Sequence, residues 1–263
     1  MLRVIAAELR KLRRPSLSLS TILTVIGTSS LVTSLLFLLI DSPQGNAREG
    51  QRISRDILQL PSGVVIGFNN SATLLGVVAL CIFAAQTAQE YTYGTLRNLL
   101  VRQPSRMKIL FGKLAAMKIF AIVMVIFSAA ISIGLSYALA PTAKVSTTLW
   151  TNSDGQLAIK QGLLNVLIST IGFGLFGMIL GLLFRSPISS ISIGVIWILI
   201  IEGLLSAVVK NIDKYFPGQL LSIVAVGGTE KISYKYALFS SYSILLTGLV
   251  IVAFLFKRRD VAN

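Results

Sequence analysis

The sequence predicts an all-α membrane protein of six transmembrane helices, and three observations carry that expectation. Of its 263 residues, 54% are hydrophobic and 13% charged, about half the charged share of an average soluble domain. Six apolar stretches, Leu17–Ile40, Val64–Gln86, Ile109–Ala140, Gly162–Phe184, Ile188–Val209 and Tyr236–Phe256, each reach the about 20 residues that span a hydrocarbon core. They are apolar on every face, without the strict alternation over about ten residues of a membrane barrel strand, so the spans are helices.

Ahead of the first span, Leu2, Ile5, Leu9 and Leu12 form one stripe at helical spacing, while Arg3, Arg10, Lys11 and Arg14 crowd the opposite side. That is the pattern of a helix lying in the interface plane, and Pro15 breaks it. Two readings stay open for residues 1–16: a basic flank that only sets topology, or an elbow helix packed along the inner leaflet. The first span is too long for a secretory signal. Its exit, Leu39-Ile40-Asp41-Ser42-Pro43, also lacks a small-x-small cleavage pattern.

The net charge of +14 is unevenly spread. With the N-terminus in the cytoplasm, the inner segments hold fifteen basic residues and three acids, Glu8, Glu90 and Asp260; the outer segments hold nine basic residues and six acids. The positive-inside rule then places both termini of a multi-pass protein in the cytoplasm. Cations beside an anionic leaflet account for most of the charge, so membrane lipid is the implied partner and nucleic acid is not.

No histidine and a single cysteine, Cys81, exclude zinc sites, His-based triads and an internal disulfide. The outer loops, Asp41–Gly63, Pro141–Gln161 and Lys210–Lys235, are too short for an independent domain, and no G-x-x-x-x-G-K-[ST] loop occurs. A single transmembrane domain over residues 1–263, without catalytic residues, metal or cofactor of its own, is the expectation.

The loop over residues 87–105 between spans two and three is the most informative segment. Gly94 allows a sharp turn and Thr95 can cap a short helix. Leu96, Leu99 and Leu100 supply an apolar face that Pro104 terminates, and Ser105 can cap the third span. Exposed leucines of this kind call for cover by lipid, by the chain's own helices or by a partner. Glu90 enters the loop beside Tyr91 in a basic neighbourhood, where an ion pair or helix-terminus contact would hold the turn.

An acid-aromatic-x-x-Gly-Thr-Leu-Arg-x-Leu-Leu segment in this place resembles the permease subunits of type-2 ABC exporters. It is made here by Glu90, Tyr91, Gly94, Thr95, Leu96, Arg97, Leu99 and Leu100, followed by Ser105, Arg106 and Lys113. The Tyr215-Phe216-Pro217-Gly218 stretch before span six resembles the aromatic-Pro segment of the same permeases, so the likeness runs essentially the full length. It implies that the loop is a coupling helix, flanked by Arg97 and Arg102, seated in a separate ATPase subunit present in two copies. ATP and Mg would be held in that partner. A second permease, identical or homologous, would complete the transport path.

Glu202 lies inside span five, in its outer half, where a carboxylate is costly. It reads either as a pathway residue or as a structural group capping backbone or pairing with Lys210. The resemblance implies short re-entrant helices within 203–235. Asn69 and Asn70, at the outer start of span two, and Tyr215, Phe216 and Pro217 join Glu202 as candidates for the substrate path or outer gate. Gly172-Phe-Gly174-Leu-Phe-Gly177 matches a dinucleotide fingerprint literally, but it lies mid-span; Gly174, Gly177 and Gly181 instead make a smooth face for helix packing.

Three function classes compete. An ATP-driven exporter permease, as of drugs, antimicrobial peptides or lipids, accounts for the elbow, the loop and the missing ATPase together. An ion-gradient-driven secondary transporter needs ionisable groups near the midplane, and only Glu202 qualifies. An intramembrane hydrolase lacks its histidine, paired carboxylates or metal cluster. An amphiphilic or hydrophobic cargo fits an apolar bundle, with sodium export as the alternative within the exporter class.

Overall fold

The computed structural model describes residues 2–40, 54–209 and 211–258, with the side chains of Arg102 and Arg258 left aside. The described residues are helical and turn throughout, without a strand. Helix α1 (Leu2–Leu12) is followed by α2 (Pro15–Leu38), whose first residue is the proline expected to break α1. Proline is tolerated in a first turn because its missing N–H has no helical partner there. A one-turn helix α3 (Arg55–Gln59), capped by the Ser54 hydroxyl accepting from Ile57 N, precedes α4 (Gly63–Thr92). Most of the first outer loop lies outside the described residues.

Helix α4 continues six residues past the expected end at Gln86. Nothing between Thr87 and Thr92 breaks a helix, and the stop comes only at Gly94, in the left-handed region at φ +64°. Glu90 and Tyr91 are therefore helical, not loop, residues. Then come α5 (Thr95–Arg102), α6 (Arg106–Leu139) and α7 (Ser153–Phe184), the last starting nine residues before the expected Gly162. The fifth span is composite: α8 (Pro187–Ile196), a π turn (Trp197–Ile201) and α9 (Glu202–Val208). A 3₁₀ turn (Ile212–Tyr215), the short apolar α10 (Pro217–Val226) and α11 (Tyr234–Arg258) complete the chain.

Six helical segments are long and apolar enough to cross a membrane: Pro15–Leu38, Gly63–Thr92, Arg106–Leu139, Ser153–Phe184, Pro187–Val208 and Tyr234–Lys257. Helices α4 and α7 form the centre. Within the chain, 56% and 72% of their most apolar stretches are buried, against 28%, 17% and 22% for the first, fifth and sixth segments. The glycine face foreseen on α7 explains their pairing. A Cβ at Gly177 would collide with the Leu80 carbonyl, one at Gly174 would lie 2.5 Å from the Phe83 ring, and one at Gly181 would lie 2.8 Å from the Ala84 carbonyl. In the reverse direction Gly76 of α4 receives Phe173 of α7. Small residues let two backbones approach closely enough for dispersion contacts along the whole seam.

At the end away from α5, Trp150 is buried, donates its indole N–H to the Leu58 carbonyl at 2.9 Å, and meets Tyr137 and Phe37 edge-on. Helix α10 packs among α4, α7 and α11 with Leu220, Leu221 and Val224 fully buried. Ser169 of α7 donates to the Leu221 carbonyl at 2.8 Å, and Thr73 of α4 bonds Ser222 at 2.9 Å. The region after Gly203 is thus a short apolar helix within the bundle.

Gly177→Val should lower stability by about 1–3 kcal/mol through forced separation of α4 and α7. Gly134→Ala, where an added methyl meets nothing within 4 Å, should be neutral or stabilise by up to about 1 kcal/mol. Thermal unfolding in detergent reads both.

Candidate functional site

Helix α5 sits at the end of the bundle where α4 stops and α6 begins. Gly94 occupies the cap position itself, so Thr95 starts the helix and makes no side-chain cap, contrary to expectation. Ser105 likewise makes no side-chain cap to α6; its carbonyl accepts from Ile109 N at 3.3 Å. The apolar face of α5 turns into the chain's own helices. Leu96 is buried in the main core, Leu99 and Leu100 are half-buried, and Leu100 packs on that core. Of the three covers considered for these leucines, the chain's own helices supply one. Left facing outward are Thr95, Arg97 and Asn98, with Tyr93 and Val101 at 72% and 79% exposure.

Beneath α5 lies a buried cluster of four charges. Lys113 of α6 donates to Glu8 Oε2 at 3.0 Å, to Glu90 Oε1 at 2.8 Å and to the Gln86 carbonyl at 3.1 Å, which uses all three ammonium protons. Lys11 of α1 donates to Glu8 Oε1 at 2.6 Å and to Glu90 Oε1 at 2.7 Å. Glu8, Glu90 and Lys113 are all buried. The set is electrically neutral, and it ties α1, the end of α4 and the start of α6 into one unit. Glu90 thus makes the ion pair expected of it, but it reaches inward to lysines and not outward.

One residue of α1 departs from the face its helical wheel assigns: Lys11 turns inward, toward Glu8 and Glu90, instead of joining the outer basic face. Tertiary ion pairing outweighs the local stripe. Glu8, which sequence reasoning left unassigned, carried one signal: it is three residues from Lys11 and hence on the same helical face. The close fit of α1 to α6 is made at Gly112, where a Cβ would lie 2.6 Å from Val4.

Burial raises the Glu8 pKa, but the charges and hydrogen bonds of Lys113 and Lys11 outweigh it, and the carboxyl ends below its ordinary 4.5. Burial lowers that of Lys11, yet Glu90 and Glu8 carry it above its ordinary 10.5. Nearby, the Arg185 guanidinium lies 5.4 Å from the Tyr91 ring centre, and Arg106 donates to the Phe256 carbonyl at 2.8 Å while stacking on its ring. These contacts join the ends of α7 and α11 to the same anchor. The side chain of Arg102, expected to flank α5, lies outside the described residues.

Glu202 caps backbone, one of the arrangements the sequence left open for it. Fully buried, its Oε1 accepts from Trp197 Nε1 at 2.9 Å and from Gly218 N at 3.1 Å, and its Oε2 accepts from Gln219 N at 2.8 Å. Those amides open α10, so a carboxylate from α9 neutralises the positive end of another helix and satisfies its unpaired donors. The π turn makes this possible: its wider winding sets Trp197 and Glu202, five residues apart, on one side. Gly218 has to be glycine, because a Cβ there would lie 2.5 Å from Glu202 Oε2. Lys210, the other partner considered for Glu202, lies outside the described residues.

Around this cap, Pro217 is the first residue of α10 and Phe216 meets Trp197 edge-on at 6.3 Å, while Tyr215 is exposed. Asn70 is exposed and donates to its own helix at Ile66 O, 2.9 Å away. The Asn69 carbonyl oxygen is buried without a hydrogen bond. Neither asparagine bonds Glu202. Among the described residues no three His, Cys, Asp or Glu side chains gather to hold a metal.

Removing one member of a buried charge cluster strands the others. Lys113→Ala should therefore cost about 3–5 kcal/mol, whereas Arg97→Glu should leave stability unchanged. Because the Glu8 pKa is lowered by folding, its stabilisation is complete above about pH 4.5 and is lost as pH falls through the depressed value. Because that of Lys11 is raised, its share is complete below about pH 10.5 and is lost as pH rises through the elevated value. A melting-temperature profile against pH should show both limbs, and Glu8→Gln should flatten the acid one. Glu202→Ala, which leaves three N–H groups without an acceptor, should cost about 2 kcal/mol or more, and Glu202→Gln about 1 kcal/mol, read by the same melts.

A family model covers most of the chain. No curated protein matches the sequence. Residues 60–262, from just before α4 to the end of α11 and beyond, match the family described as Protein of unknown function (DUF2705), and the chain belongs to that family.

Proposed function

We propose that the chain is the membrane-spanning, non-catalytic subunit of an ATP-driven type-2 ABC exporter in the bacterial plasma membrane, with both termini cytoplasmic. Two copies of a separate ATPase subunit, carrying ATP and Mg, drive it, and a second permease, identical or homologous, completes the path. α1 then serves as the elbow helix and α5 as the coupling helix. One observation carries this reading: α5 and the turn before it offer an outward face of Tyr93, Arg97, Asn98 and Val101, while the buried Leu96 seats α5 beside the four-charge cluster that ties α1, α4 and α6 together. A motor outside the membrane can act on a helix bundle only through a stiff contact, and α5 rests through Leu96 on an end of the bundle that the cluster ties together. In this reading Leu96, Leu99 and Leu100 hold α5 to its own bundle, and the polar face with its exposed arginine meets the ATPase.

The secondary-transporter reading depends on Glu202 as a coupling carboxylate. Its two oxygens accept from three fixed donors, which suits a helix cap better than a group that binds and releases an ion at every turnover. The cargo best matched to an apolar bundle is an amphiphilic or hydrophobic compound such as a drug, an antimicrobial peptide or a lipid.

Affinity purification of the full chain should recover an ATPase in equimolar amount. Arg97→Glu should weaken that association at least about tenfold, as expected for an interface arginine, with the melting temperature unchanged. Transport in vesicles by the chain alone, driven by an ion gradient, would falsify the proposal.

A further inference from the structure

Between α1, α2 and α6 the structure holds a cavity of about 430 Å³, within the range of about 300–1,000 Å³ of small-molecule sites. Its shape follows from how the three helices meet. Higher up, α2 and α6 touch through the buried Ser29 and Ser128 hydroxyls, 2.7 Å apart. Below that contact a space remains between them, floored by Leu9 and Leu12 at the end of α1. It runs from Ser18 to Val25 on α2 and from Ile119 to Phe127 on α6, roughly 10–12 Å along the helices.

One side of this groove is open. Ile119, Val123 and Phe127, at successive four-residue steps on α6, line it and are each 44% exposed. The same outer surface continues through the exposed Ile122 and Ile126. In a bilayer that surface faces hydrocarbon, so the groove opens sideways onto lipid tails. A lined space without atoms forfeits its dispersion contacts, and the nearest material of matching polarity is an acyl chain.

The groove also has a polar end. Arg13 lines it where α1 gives way to α2; its guanidinium is exposed and bonded to no described residue. No acid lines the groove, and Arg10 and Arg14 are exposed beside Arg13. An apolar slot ending in an unpaired guanidinium at the depth of an interfacial helix matches a phosphate attached to a hydrocarbon tail. We propose that this groove seats one acyl chain of an anionic glycerophospholipid, with its phosphate held by Arg13. The lipid fills the angle between α1 and α2 and braces α1 through Leu9 and Leu12. A second copy of the chain is the weaker occupant, because it would bring another strongly basic surface against Arg13. The inference rests on the membrane-spanning reading of the six helices and stands whether or not the exporter proposal does.

The test uses the full chain purified in mild detergent and supplied with phosphatidylglycerol or with phosphatidylcholine of the same acyl chains, the retained lipid being counted by native mass spectrometry. The expected result is one phosphatidylglycerol per chain, preferred about fivefold over phosphatidylcholine, the worth of one basic residue at an anionic surface. Arg13→Ala should erase the preference, Val123→Trp should abolish retention by filling the groove, and Arg3→Ala, off the groove, should change neither. In the unsubstituted protein, a photoreactive acyl chain should label peptides holding residues 9–25 and 119–127, which keeps the test valid if Val123→Trp misfolds. Labelling elsewhere, equal retention in the unsubstituted and Val123→Trp proteins, or a lipid-free groove closed in a dimer that Val123→Trp disrupts would overturn the proposal.

Discussion

Two glutamates and Lys113, all buried, together with the half-buried Lys11, hold one end of this molecule, and the surrounding helices are placed by their needs. A lone buried charge is prohibitively costly, and a pair repays its desolvation only when every proton and lone pair finds good geometry. Lys113 meets that condition with two carboxylates and a carbonyl within 3.1 Å. The partners come from α1, α4 and α6, so none of the three can shift alone without exposing the others' charges to an apolar interior. The cluster sits directly under α5, the segment best exposed for contact with another chain.

The opposite end is organised by a second carboxylate under different rules. Glu202 has no cationic partner among the described residues; it accepts from two helix-initiating amides and an indole. The positive end of a helix thereby does the work that a lysine does at the other end. Glu90 and Glu202, the two acids buried in span-forming helices, are thus placed by interactions with elements remote in sequence. Between the two ends runs the tight α4–α7 seam, where Gly174, Gly177 and Gly181 bring the backbones together. A stiff central pair joining two separately braced ends is a frame through which force at one face can reach the other, as the proposed coupling requires. The groove among α1, α2 and α6 lies outside the α4–α7 seam, so the proposed lipid would occupy it without entering that centre.

The residues by themselves determined the six apolar helices, the turn at Gly94, the glycine seam on α7 and the need of Glu90 for a cation or a helix terminus. Each follows from local quantities: apolar length, backbone freedom, side-chain size, and the cost of an uncompensated charge. What only the tertiary structure decided is direction and partnership. It turned Lys11 inward and Leu96 into the core, gave the cap of α5 to Gly94 instead of Thr95, and used the π turn to bring Trp197 and Glu202 to the start of α10. Glu8 and Lys113 are separated by 105 residues, as far beyond the reach of helical periodicity as Glu202 is from a cap sixteen residues on. A helical wheel shows which side chains share a face, but the free energy of burying a charge depends on what the rest of the chain brings to that face.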